Sequence, residues 1–167
     1  MRHGKAEDPS FSIPDGERKL TPEGVSIMTA AAGCYRDLGV AIDLLFSSPL
    51  PRALETAKII AKELGFPETF VRVEVALAGR LNIDAIRRMC LLQPDASGAM
   101  FVGHEPDLVE IVQQLCHIPH PFKKGEIVCI EAPQVARGAG RILWNKPPSQ
   151  LIGRRPKDKA AEARGKP

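Results

Sequence analysis

The chain has 167 residues, of which 44% are hydrophobic, 26% charged and 5% aromatic. That suits one domain with a mainly aliphatic core and excludes a collagen, a coiled coil and a disordered chain. The formal charge of +3 is unevenly placed: residues 153–167 hold Arg154, Arg155, Lys157, Lys159, Arg164 and Lys166 against Asp158 and Glu162, a net +4, which leaves −1 for the rest. No apolar run approaches the roughly 18 residues of a membrane span. No apolar stretch follows Met1-Arg2-His3-Gly4, so no secretory signal is read and a cytoplasmic location is expected.

In chain order, Lys5 to Lys19 has two prolines, a glycine and no apolar period, and is expected to be a loop. Thr21-Pro22 then starts a helix, with Thr21 as its cap and Pro22 at the first helical position. Its apolar residues are Val25, Met28, Ala32 and Tyr35, and Gly39 ends it. Ile42 to Phe46 is a short apolar strand. A second helix runs from about Arg52 to Leu64, with Ala53, Ala57, Ile60 and Leu64 on one stripe and Gly65 beyond its end.

Phe70 to Val75 alternates as a strand with Val71, Val73 and Val75 on one face. Ile83 to Leu91 is a short helix, Ala99 to Val102 a brief strand, and the segment after Pro106 a helix with Leu108, Ile111, Val112 and Leu115 inward. Ile127 to Ile130 and Arg141 to Trp144 are expected to close the sheet as two late strands. Alternating strands and helices predict an α/β domain with a mainly parallel central sheet. It is expected to span 1–152, followed by a basic, disordered tail over 153–167. That tail has no aromatic groups to stack on bases, so a nucleic-acid partner is not expected.

Cys34, Cys90, Cys116 and Cys129 are widely spaced, without a Cys-x-x-Cys pair, and are expected to be buried reduced thiols. Cys116, His117 and His120 cluster, but a second ligand pair is missing and no zinc site is expected.

In open α/β sheets ligands bind at the carboxyl ends of the strands. Three segments deliver basic or imidazole groups there: Arg2-His3-Gly4, Ser47-Ser48-Pro49-Leu50-Pro51-Arg52 and Val102-Gly103-His104-Glu105-Pro106. Two arginines and two histidines match a phosphoryl group. Arginine offers planar charge-assisted donors, and histidine can donate to oxygen or attack phosphorus. Alone, each residue has an ordinary structural explanation; together, in this strand–helix context, they define a candidate site.

These segments resemble the histidine phosphatase (phosphoglycerate mutase-like) superfamily, and within it the small SixA-type phosphohistidine phosphatases. The resemblance rests on Arg2-His3-Gly4-Lys5-Ala6, Lys19-Leu20-Thr21-Pro22-Glu23-Gly24, and Ser48-Pro49 through Arg52-Ala53 to Thr56-Ala57. It continues through Val102-Gly103-His104 with Pro106-Asp107-Leu108, Gly125-Glu126-Ile127-Val128 and Leu143-Trp144. It implies a three-layer αβα sandwich and a phosphatase. His3 would be the nucleophile that becomes a phosphohistidine intermediate. Arg2, Arg52 and His104 would be catalytic phosphate-binding groups, and Arg18 a contact at the substrate rim. It implies no metal or other cofactor. The implied partner is a phosphohistidine-bearing signalling or phosphotransfer protein, with the enzyme a monomer bound neither to nucleic acid nor to membrane.

Two departures qualify the resemblance. Phosphomonoesterases of the superfamily carry a general-acid carboxylate where this chain reads Val75-Ala76-Leu77-Ala78-Gly79; Glu74 and Glu105 are the nearby candidates. Arg-His-Gly also follows an apolar first strand in the family, whereas here Met1 precedes Arg2 directly, so that strand is read as missing or encoded upstream. The alternatives are therefore a phosphatase of the same superfamily acting on a small phosphomonoester or polyphosphate, and an inactive relative that binds phosphorylated ligands.

Overall fold

The computed structural model describes residues 1–152; the basic segment 153–167 lies outside the described residues. Five strands and five helices follow in the order α1 (Pro22–Asp37), β1 (Leu44–Ser47), α2 (Pro51–Glu63), β2 (Val71–Val73), α3 (Ile83–Cys90), β3 (Ala99–Val102), α4 (Asp107–Cys116), β4 (Ile127–Glu131), β5 (Arg141–Lys146) and α5 (Pro148–Leu151). Local chemistry sets the helix starts. Thr21 accepts a hydrogen bond from Gly24 N ahead of α1, and Asn82 does the same for Ala85 N ahead of α3. Proline opens α1 and α2, where a missing N–H costs nothing.

β1 lies between β2 and β3, and all three are parallel. Side-chain alternation along β1 feeds two cores. Leu45 joins Met28, Ala32 and Tyr35 of α1 and Ala53, Ala57 and Ile60 of α2 on one face. Leu44 and Phe46 join Ile86 and Met89 of α3 and Leu108, Ile111 and Leu115 of α4 on the other. Helices thus cover both faces, the three-layer αβα arrangement expected from the sequence.

Three expectations are corrected. β4 and β5 do not extend the parallel sheet; they pair with each other as a separate antiparallel ribbon. β2 is only three residues long: Val73 ends it and is 54% exposed on the sheet edge, while Val75, expected on the same strand face, lies beyond it in a short 3-10 turn and is 67% exposed. Val25 is likewise exposed, its place on the buried face of α1 taken by Gly24 and Ala31.

The first three residues stitch the sheet to the ribbon. Met1 N donates to Phe101 O, Gly103 N to Met1 O and His3 N to Gly103 O, a parallel ladder along β3. On the other side, Arg2 N donates to Glu126 O and Gly125 N to His3 O. By the same alternation the Ala99 carbonyl and the Phe101 N–H face that side, where no further strand pairs with them among the described residues. An apolar cleft of about 570 Å³ lies there, between Ala99–Phe101 and Val128–Ile130 and floored by Leu108, Ile111 and Leu115. Gly4 follows His3 because a Cβ there would come within 2.6 Å of Met28 Cγ.

Candidate active site

The loops after β1, after β3 and after the Met1–His3 stub meet at one edge of the sheet, as the placement rule for α/β folds requires. Residues 47–50 carry the chain from β1 into α2, whose first turn holds Arg52. His104 follows β3 by two residues and precedes α4. The structure therefore brings together the four residues singled out from sequence: Arg2, His3, Arg52 and His104.

His3 is only 7% exposed, and its ring centroid is 5.0 Å from that of His104. His3 Nδ1 is 2.8 Å from Gly4 O. A carbonyl only accepts, so Nδ1 carries the proton and donates. Burial, opposed by this bond and reinforced by His104, Arg52 and Arg2, lowers the His3 pKa from 6.5 to about 3. The neutral ring thus keeps its proton on Nδ1 and leaves the Nε2 lone pair available as a nucleophile. Burial, with Arg52 and Arg2 and against Asp15 and Asp107, likewise lowers His104 to about 4.

Arg2, Arg52 and His104 are each held by partners whose pairing carries no signal in the sequence. Arg2 Nη1 donates to Phe122 O at 2.6 Å and pairs with Glu105 at 2.5 Å. Arg52 Nη1 donates to Asp15 O at 2.6 Å and Nη2 to Asp15 Oδ2 at 3.0 Å. His104 Nε2 is 2.8 Å from Ser48 Oγ, which also accepts from Leu50 N at 3.2 Å. Thr56 Oγ1 accepts from Gly4 N and donates to Arg52 O, tying the His3 loop to α2. With these contacts made, Arg2 Nε, Arg52 Nε and His104 Nδ1 remain buried without a hydrogen-bond partner among the described residues. Buried polar atoms are normally satisfied; two guanidinium N–H groups and a ring nitrogen left free near the His3 ring have the chemistry to receive an anion.

Arg18 lies against the same loop, its Nε donating to Glu7 O at 2.5 Å and its Nη1 to Asp15 Oδ1 at 2.7 Å. Asp15 therefore bridges Arg18 and Arg52. These pairings, chiefly the bond from Arg18, hold its carboxyl below the ordinary range against burial. Asp15 carries no signal in the sequence, since it lies in a loop without periodicity. The two candidate acids are both engaged: Glu74 accepts from Ala76 N at 3.2 Å, and Glu105 accepts from Phe122 N at 2.7 Å besides its pairing with Arg2. Behind Arg2, Glu126 is 2% exposed and accepts from His120, Asn145 and Lys123 N. Burial opposes its ionisation, but these bonds hold its pKa below the ordinary value. His120 is thus part of this cluster, and the described residues contain no group of three or more His, Cys, Asp or Glu placed to hold a metal ion.

Residues 1–78 match the histidine phosphatase superfamily (branch 1). An uncharacterized protein of Picosynechococcus sp. (strain ATCC 27264 / PCC 7002 / PR-6) is 37% identical over 117 residues, covering 66% of this chain and 67% of that protein. The chain belongs to the histidine phosphatase superfamily, and by that membership it is a phosphatase, a hydrolase. Three solved structures share its fold. The protein histidine phosphatase SixA complexed with tungstate superposes with a TM-score of 0.79 at 23% identity, covering 90% of this chain and 96% of that one. A phosphoserine phosphatase mutant of Entamoeba histolytica in complex with phosphoserine gives 0.66 at 15% identity, with 90% and 96% covered. The alpha-ribazole phosphatase of Shigella flexneri gives 0.65 at 15% identity, with 93% and 97% covered.

Proposed function

We propose that this phosphatase removes a phosphoryl group from phosphohistidine in a protein, through a covalent intermediate on His3. One observation carries the reading: the free Nε2 of His3 stands among the unpartnered donors of Arg2, Arg52 and His104. With the substrate ring protonated by solvent on its other nitrogen, His3 Nε2 would attack phosphorus, forming an N–P bond as the bond to the substrate imidazole breaks and its electron pair returns to that ring, which leaves as neutral imidazole. Arg2 Nε, Arg52 Nε and His104 Nδ1 would hold the phosphoryl oxygens as charge moves onto them. The His104 proton sits on Nδ1 if Ser48 donates to Nε2, which leaves Ser48 Oγ free to accept from Leu50 N, as it does. Water then cleaves the His3–phosphorus bond, giving phosphate and free His3.

Leaving-group chemistry supports P–N over P–O bonds. A simple alcohol has a pKa near that of water, about 15.7, whereas an imidazole whose other nitrogen has taken a proton from solvent departs neutral, and its conjugate acid has a pKa of about 6.5. That gap of about nine units exceeds a general acid's contribution of roughly 10²–10⁴ in rate. Glu74 and Glu105 are both hydrogen-bonded elsewhere, so a substrate that needs no acid fits this site. The four free cysteines support a cytoplasmic setting. Rapid quench with a labelled phosphohistidine protein tests the reading. The wild type should form an acid-labile phosphoenzyme that His3→Ala lacks. Undiminished label on His3→Ala would move the nucleophile elsewhere, with His104 next in line.

A further inference from the structure

Beside the active site lies an open depression of about 650 Å³ that the catalytic reading does not use. Its floor is apolar, from Ile27, Pro147, Pro148 and Ile152, and Lys5, Lys123 and Lys124 stand around it. All three lysines are exposed. Lys5 pairs with Glu23, whereas Lys123 and Lys124 form no ion pair among the described residues.

The position of this depression is fixed to the catalytic loop. Residues 122–125 are latched to it at both ends: Phe122 O accepts from Arg2 Nη1, and Gly125 N donates to His3 O at 2.8 Å. Lys5 is two residues beyond His3. The depression is therefore a neighbour of the nucleophile through main-chain bonds rather than a remote patch. Its charge is local, because residues 1–152 carry a net −1. The sequence after Ile152, outside the described residues, holds six basic residues against two acidic ones. A small phosphate ester would need none of this surface; a macromolecule whose phosphoryl group enters the site must rest on something beside it.

We propose that this depression docks an acidic segment of the phosphorylated protein substrate, with an aliphatic side chain on the proline floor and carboxylates against Lys123 and Lys124. The proposal rests on the phosphohistidine reading for the identity of the partner, but docking can be measured without catalysis. Rim charges act on encounter and on affinity rather than on the chemical step.

The test uses the full chain and the double variant Lys123→Glu/Lys124→Glu, neither residue being in the catalytic set. The first arm is binding of a fluorescent peptide of glutamates flanking a leucine. The wild type should bind it in a salt-sensitive way, and the double variant should bind about twofold to thirtyfold more weakly, given two exposed pairs worth roughly 0.2–1 kcal/mol each. The second arm is turnover of free phosphohistidine and of an acidic histidine-phosphotransfer domain phosphorylated with phosphoramidate. The variant should raise KM for the protein while leaving kcat, and turnover of free phosphohistidine, within about twofold. Lys123→Ala/Lys124→Ala, with an unchanged Tm, guards against a folding defect. Equal peptide binding by wild type and variant overturns docking. So does an equal effect of the variant on both substrates. Absence of turnover on either phosphohistidine substrate by a wild type that does bind the peptide overturns the catalytic reading instead.

Discussion

Lowering the pH should leave His3 nucleophilic well below the point where an ordinary histidine is lost. Burial and the neighbouring Arg52 and Arg2 hold its pKa at about 3. At pH 5 an ordinary imidazole, with a pKa of about 6.5, is only about 3% neutral, whereas a ring with a pKa of 3 is about 99% neutral. The rate of phosphoenzyme formation at saturating substrate should therefore stay within about twofold between pH 7 and pH 5, where an unshifted histidine would lose about twenty-fivefold. The ring can also be followed directly by NMR, its signal assigned by its loss in His3→Ala. Stability sets the lower bound of the experiment. The folded pKa values of His3, His104 and the Met1 ammonium, about 3, 4 and 5, all lie below their ordinary values. The native state then binds fewer protons than the unfolded one, so stability falls as the pH drops from about 8 towards 3, by up to about 1.4 kcal/mol per pH unit for one fully shifted group. Measurements belong where circular dichroism is unchanged. A His3 resonance titrating near pH 6, with a matching fall in phosphoenzyme formation, would refute the account of a dry, cation-lined nucleophile.

Three further outcomes follow from named contacts. Arg52→Ala should cut kcat by about two to three orders of magnitude, as loss of a transition-state donor does; a change confined to KM would reduce Arg52 to a docking group. Glu105→Gln should lower kcat on phosphohistidine about tenfold by loosening Arg2, with little change in KM; a loss seen only with alkyl phosphates would instead make Glu105 a general acid. A version of the chain lengthened before Met1 by four alternately apolar residues should pair the Ala99 carbonyl and Phe101 N–H and fill the cleft between β3 and β4. Two newly buried aliphatic side chains at about 1.5–3 kcal/mol each correspond to a rise in Tm of roughly 6–24 °C at about 2–4 °C per kcal/mol. An unchanged melting temperature by calorimetry would show that the cleft does not accept a strand.

Much of the local order was present in the sequence by itself. Thr21-Pro22 and Asn82 act through neighbouring main-chain groups, and the apolar periods of α2 and α4 need only a core on one side, so those helices fall near their expected bounds. The meeting of His3, Arg52 and His104 was also legible, because a parallel sheet carries the residues after its strands to one edge. Tertiary structure decided what depends on contacts distant in sequence. β4 and β5 look like any other late strands, yet only the stub at Met1–His3 reaches from β3 to β4, so they form their own ribbon. Val73 and Val75 alternate as strand residues do, but β2 stops at Val73 on the sheet edge and Val75 falls in the turn beyond it, so both are left in water. Asp15, Ser48 and Glu105 acquire their partners 37, 56 and 103 positions away in the chain, through loops that only the folded sheet brings together. The lowered pKa of His3 has the same origin: a residue type supplies the imidazole, while the surrounding fold supplies the burial and cations that keep it uncharged.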